Sequence, residues 1–188
     1  MSEHSINMKA TTYLLLLISV PFFGGCKNDH PSGIQRSTVD DKSAIFKVTM
    51  DAVVKQDDDF SLYYTEDGSA NFSTKKIVWT AVKGNPTSQK ISFTFPENVK
   101  PTQLRIDFGN NKNQEAILFE KFKMQYNGKS FEAPGTLIFS YFRPDVKKTI
   151  FDAETGIIRG VVQNGIRQSP SFYPKEGPLG KQLKLLTE

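Results

Sequence analysis

The strictest constraint in this sequence is a beat of two residues. "KISFTF" (90–95) alternates Ile91, Phe93 and Phe95 with Lys90, Ser92 and Thr94, and "QLRIDF" (103–108) alternates Leu104, Ile106 and Phe108 with Arg105 and Asp107. Successive side chains of an extended chain point to opposite faces, so such segments fit strands with one dry and one wet face. The beat recurs in "AIFKVTMDAVV" (44–54), follows an acidic turn in "FSLYYT" (60–65), and returns in "KIVWTAV" (76–82). In the last of these Ile77, Trp79 and Ala81 share one face and Val78, Thr80 and Val82 the other; Trp79 is expected on the buried side, with an exposed stacking platform for a sugar ring the alternative. In "AILFEKFKMQY" (116–126) the apolar phase moves from Ile117 and Phe119 to Phe122, Met124 and Tyr126, which predicts a β-bulge near Glu120-Lys121. Asn127-Gly128 predicts a type I′ hairpin into "KSFEA". Further strands are expected at 136–142, 148–152 and 157–163, and a short helix in the terminal "GPLGKQLKLLTE". About nine strands with turns between them predict an all-β fold: an antiparallel two-sheet sandwich, jelly-roll-like in the galactose-binding-like manner. The 15 Phe among 188 residues can fill its core.

Ahead of this body runs an apolar stretch from Tyr13 to Phe23, preceded by Lys9 and closed by Gly24, Gly25 and Cys26, the only cysteine. It is shorter than the roughly 20 apolar residues a membrane span needs, and it has the order of parts of a secretory signal. Its end resembles a bacterial lipobox. That resemblance implies cleavage before Cys26 and acylation of its thiol and new amino group, and several acyl chains anchor a protein stably. Met1 and Met8 both remain candidate starts. The expected plan is a signal peptide over 1–25, a lipid-anchored tether over 26–41, the sandwich over 42–165 and a C-terminal extension over 166–188. Lys27, Asn28 and Asp29 are similar to the Lys-plus-acid tags that follow the cysteine in surface-exported lipoproteins of some Gram-negative bacteria. The expected location is the outer membrane, on the cell surface or on the periplasmic face.

Lys and Arg number 24 against 20 Asp and Glu, a balance of +4 with no run of five like charges. Neither a nucleic-acid partner nor a polybasic membrane patch is expected. Both histidines, His4 and His30, precede the body, which removes Ser-His-Asp and Cys-His hydrolysis and histidine-based zinc sites from it. No enzyme activity is expected; a carboxylate glycosidase is the surviving catalytic alternative, since it needs only two acids about 5 to 9.5 Å apart. Asp57-Asp58-Asp59 reads as a solvated turn, with calcium ligation the alternative, and no cofactor or metal is expected. The loops "GNNKNQE" (109–115), "SYFRPD" (140–145) and "SPSFYP" (169–174) carry amides, an arginine and aromatic rings, the groups that hold a sugar, and they nominate Asn110, Asn111, Arg143 and Tyr173 as ligand contacts.

"DDDFSLYYTEDGSANFS" (57–73) and "LRIDFGNN" (104–111) resemble the β-sandwich accessory domains of some bacterial membrane glycosyltransferases, which are similar to carbohydrate-binding modules. The likeness covers roughly residues 45–165 and implies a sandwich and a noncatalytic sugar role. The transferase and its membrane spans are missing here, so such a role would be a stand-alone one. The rival expectation is a structural or assembly lipoprotein that binds another envelope protein, marked by an exposed apolar patch or an open sheet edge.

Overall fold

The computed structural model describes residues 34–36 and 44–188; Cys26 and the segment expected as a signal peptide lie outside the described residues. In chain order the strands are β1 (Ile34–Arg36), β2 (Lys47–Val54), β3 (Asp58–Thr65), β4 (Ile77–Val82), β5 (Asn85–Thr94), β6 (Gln103–Asp107), β7 (Ile117–Tyr126) and β8 (Lys129–Pro134). After a 3₁₀ helix at Gly135–Ser140 come β9 (Phe142–Pro144), β10 (Thr149–Phe151), β11 (Ile157–Gly160), β12 (Val162–Gln163), β13 (Ile166–Arg167), β14 (Ser171–Pro174) and the helix α1 (Glu176–Thr187).

Two antiparallel sheets form the sandwich. In sheet A, β5 pairs with β2 and β2 with β7. The far edge of β7 is shared by β8, which continues to β1, and by β11, which continues to β10. Sheet B has the order β4-β3-β6-β14-β9. The all-β antiparallel sandwich is therefore as expected, with fourteen strands among the described residues in place of about nine. The difference comes from short pieces such as β9, β10, β12 and β13, two or three residues each, that carry too little pattern to be read alone.

The period-2 sets of the long strands make the core. Phe46, Val48 and Met50, Phe60 and Leu62, Leu104, Ile106 and Phe108, and Phe122 and Met124 are all at most 1% exposed. Phenylalanines close the gap between the sheets edge to face. Phe122 of sheet A meets Phe142 of sheet B at 5.4 Å between ring centroids, and Phe119 of sheet A meets Phe108, at the end of β6 in sheet B, at 6.5 Å. Such pairs contribute about 0.5–1.5 kcal/mol each beyond area burial.

The bulge falls where the phase slip places it. Asp51 faces Lys121 while Ala52 faces Phe119, so Glu120 is the extra residue, and Phe119 and Phe122 both point inward because of it. Asn127 and Gly128 have φ of 47° and 75°, both positive as a type I′ turn demands.

Two expectations are corrected. Residues 135–140 form a 3₁₀ helix instead of a strand, because the chain there must cross from β8 in sheet A to β9 in sheet B; the turn tucks Ile138 into the core on the way. The segment after 165 is part of the body and no extension. Strand β14 lies inside sheet B between β6 and β9, and Leu179, Leu183 and Leu186, spaced by four and three on α1, join the common core. Within the segment expected as tether, β1 pairs with β8 from Ile34 opposite Phe131 to Arg36 opposite Lys129.

Candidate functional site

The two sheets present different outer faces. Sheet A carries lysines matched to acids across neighbouring strands, Lys121 to Asp51 at 2.9 Å and Lys123 to Glu132 at 2.8 Å. Sheet B carries rings and guanidinium groups. Opposite residues of paired strands share a face, so the register places Ile77, Tyr63, Arg105, Tyr173 and Arg143 in one row across all five strands. The adjoining row runs Trp79, Ser61, Asp107 and Ser171.

Trp79 is thus on the outer face, 54% exposed, and its expected burial is overturned. Val78 and Val82 take the inward positions instead, because Val78 lies opposite Leu62 and Trp79 opposite Ser61. A large ring held by a strand and open to solvent is the kind of surface that accepts the apolar side of a ligand.

In the middle of the face, the Arg105 guanidinium lies 4.6 Å from the Tyr63 ring centre and 4.9 Å from that of Tyr173. Its Nε and Nη2 donate to the two carboxylate oxygens of Asp107 at 2.8 and 2.7 Å. Arg105 and Asp107 are two residues apart on β6, so they stand side by side on the same face. Burial pushes the Asp107 carboxyl up from its ordinary value, and the charge and hydrogen bonds of Arg105 oppose that rise. Beside Asp107 the hydroxyl of Ser171 is buried without a hydrogen-bond partner. Arg143 ends the row with its guanidinium 5.6 Å from the Tyr173 ring centre, and Phe72 meets the same ring edge to face at 6.2 Å. A groove of about 560 Å³ opens there, lined by Arg143, Pro144, Asp145, Val146, Lys147 and Tyr173.

Of the four nominated contacts the structure brings Arg143 and Tyr173 together and sets Asn110 and Asn111 apart from them. Both asparagines line a second hollow, with Asp57, Asp58, Asp59 and Lys83. Their side chains hold the fold. Asn110 Oδ1 accepts from Ser169 Oγ at 2.6 Å, and Asn111 Nδ2 donates to the Asp57 carbonyl at 2.8 Å while its Oδ1 accepts from the Asn113 N–H at 2.8 Å. Ser169 stands four residues before Tyr173, as far as about 13 Å of extended chain.

Asp58 organises this loop. Its Oδ1 accepts the N–H groups of Asn110 at 2.7 Å and Asn111 at 3.0 Å, and its Oδ2 accepts from Gln114 Nε2 at 3.1 Å. Gly109 is required beside it, since its φ is 78° and a Cβ there would overlap the carboxylate. Asp57 is bound by Lys83 Nζ at 2.6 Å and the Gly84 N–H at 2.8 Å, donors that hold its carboxyl below the ordinary value. Asp57 and Asp58 therefore spend their oxygens on donors of this chain. Among the described residues no group of three or more His, Cys, Asp and Glu is placed to hold a metal ion.

Sequence reasoning missed Tyr63 and Arg105 as site residues and held Trp79 only as the alternative to a core position. Arg105 was readable as an outward position, but only the strand order makes it a neighbour of Tyr63. The fold and this face define a two-sheet antiparallel sandwich with one ion-paired and one aromatic outer surface. No protein-family model, curated protein or solved structure matches the chain.

Proposed function

We propose that this chain is a lipid-anchored protein of the bacterial outer membrane whose sandwich binds glycan without catalysis, across the outer face of sheet B. The observation that carries the reading is the exposed Trp79 in the row beside alternating rings and guanidinium groups on a rigid sheet. Rings stack on the apolar side of a pyranose while Arg and Asp side chains engage its hydroxyls. Arg143 and Tyr173 keep their nominated role, Trp79, Tyr63 and Arg105 join them, and Asn110 and Asn111 pass to a structural one. The lipobox-like ending at Cys26 supports the anchor.

Titration of the detergent-solubilised mature protein against cell-envelope and host polysaccharides tests the binding. Affinities in the micromolar to millimolar range are expected, roughly −8 to −4 kcal/mol. Silence across a broad panel removes the reading and leaves the rival, a lipoprotein that docks another envelope protein. Sugar release from any bound polymer would instead favour a carboxylate glycosidase. Cys26→Ser, expressed in a Gram-negative host, should leave the protein out of the membrane fraction and without lipid mass; retention of both refutes the anchor.

A further inference from the structure

The span and the charge of the sheet B face say more about the ligand. Trp79 lies on β4 and Arg143 on β9, the first and last strands of the sheet, four inter-strand spacings or about 19 Å apart. Both ends of the platform lie on end strands, and the rings between them are spread over the whole width. A single sugar ring covers only a part of that distance. An extended polymer crossing the strands reaches both ends.

Charge is distributed unevenly along the row. Arg105 is matched on two atoms by Asp107. Arg143 is exposed, rests against the Tyr173 ring and forms no ion pair within 4 Å among the described residues. Lys147 lines the same groove, and the one acid there, Asp145, uses an oxygen to accept the Lys147 N–H at 3.1 Å. Lys121 and Lys123 on sheet A, by contrast, have carboxylates in reach. A guanidinium set against a ring loses little freedom when it binds, and its planar fork fits a carboxylate with two parallel hydrogen bonds.

We infer that the face takes an acidic polysaccharide, a polymer bearing uronic-acid carboxylates, with a sugar ring on Trp79 and a carboxylate on Arg143. This rests on the glycan reading above and adds to it the charge and length of the ligand.

Three uronate polymers of different ring configuration, polygalacturonate, alginate and hyaluronate, are titrated into the detergent-solubilised mature protein, each beside its carboxyl-reduced neutral form and its monomer. At least one acidic polymer should bind about tenfold or more tighter than its reduced form, the scale of one charge-assisted pair. The monomer should bind far more weakly than the polymer. Arg143→Gln, a change at an exposed position, should abolish the preference while Trp79 emission still responds to the polymer. Equal binding of the acidic and reduced polymers, or a preference that survives Arg143→Gln, overturns the acidic assignment and leaves glycan binding standing. Equal binding of monomer and polymer overturns the length assignment. No response to any polymer of either charge overturns the inference together with the reading beneath it.

Discussion

Trp79 is the only tryptophan of the chain, so its fluorescence and its removal both report on one position. Trp79→Ala would test whether the ring serves the surface or the core. At 54% exposure about half of the 150–250 Å² that a tryptophan offers is still open to a ligand. At about 25 cal/mol per Å², covering that half is worth ~2–3 kcal/mol, and ordering the ligand and neighbouring side chains takes back about 0.5–1.5 kcal/mol. The expected loss on Trp79→Ala is therefore ~1–2 kcal/mol, about 5- to 30-fold in Kd. Folding stability should fall by only ~1–2 kcal/mol, since the covered part of the ring alone loses packing, whereas a core tryptophan would cost about 3–5 kcal/mol. Binding is read by titration calorimetry and stability by urea unfolding. In the wild type, tryptophan emission should be that of a solvated indole, open to iodide quenching, and should move to the blue and become protected as ligand saturates. A core-sized stability loss, or an emission already blue and shielded in the free protein, would refute the placement of the ring; unchanged affinity would refute its role.

Three further outcomes follow from the same geometry. Phe172→Ala removes a ring that is fully buried against Phe108, Phe139 and Phe151 and should destabilise by about 3–5 kcal/mol in denaturant unfolding, with a loss under 1 kcal/mol contradicting the packing. Asp58→Ala frees the Asn110 and Asn111 N–H groups and Gln114; after discounting for the partly exposed loop the expected cost is ~2–3 kcal/mol, and faster amide exchange at 110 and 111 should accompany it. Asp107 has a carboxyl raised by burial, so its contribution to stability is fully present below the unfolded value of 3.8 and is lost as pH rises through the folded one. The stability of wild type relative to Asp107→Asn should accordingly decline as pH rises above 3.8, and a flat or rising difference would contradict the buried placement.

How much of this was legible in the residues depends on what each segment could be compared with. "KISFTF" has one apolar and one polar set, and its burial follows at once: Ile91, Phe93 and Phe95 are at most 3% exposed. "KIVWTAV" has apolar residues in both sets, so the beat of two is present but its phase is undetermined. The phase is decided by β3, where Leu62 is inward and Ser61 outward, and that pairing joins residues 16 to 18 apart through a turn. The bulge at Glu120 was readable because both sides of the slip lie in one strand. The candidate site was not, because its row collects single residues from β4, β3, β6, β14 and β9, and nothing local states that order. Asn110 and Asn111 show the converse: their amides are visible in the sequence, but Asp57, Asp58 and Ser169, which use them or the loop's N–H groups, are more than 50 residues away.

In the lipid-anchored reading proposed above, the pairing of β1 with β8 caps the reach from the anchor. Eight peptide steps separate Cys26 from Ile34, and eight extended residues reach at most about 29 Å. A body of this size is itself wider than that, roughly 38 Å for a compact domain of about 150 residues. Were Cys26 held in a bilayer as proposed, the chain length alone would keep Ile34 within about 29 Å of it, and the protein would work in a thin layer of the envelope. A polymer would then be caught as a layer lying along the membrane, and many such molecules side by side would act as studs under a sheet.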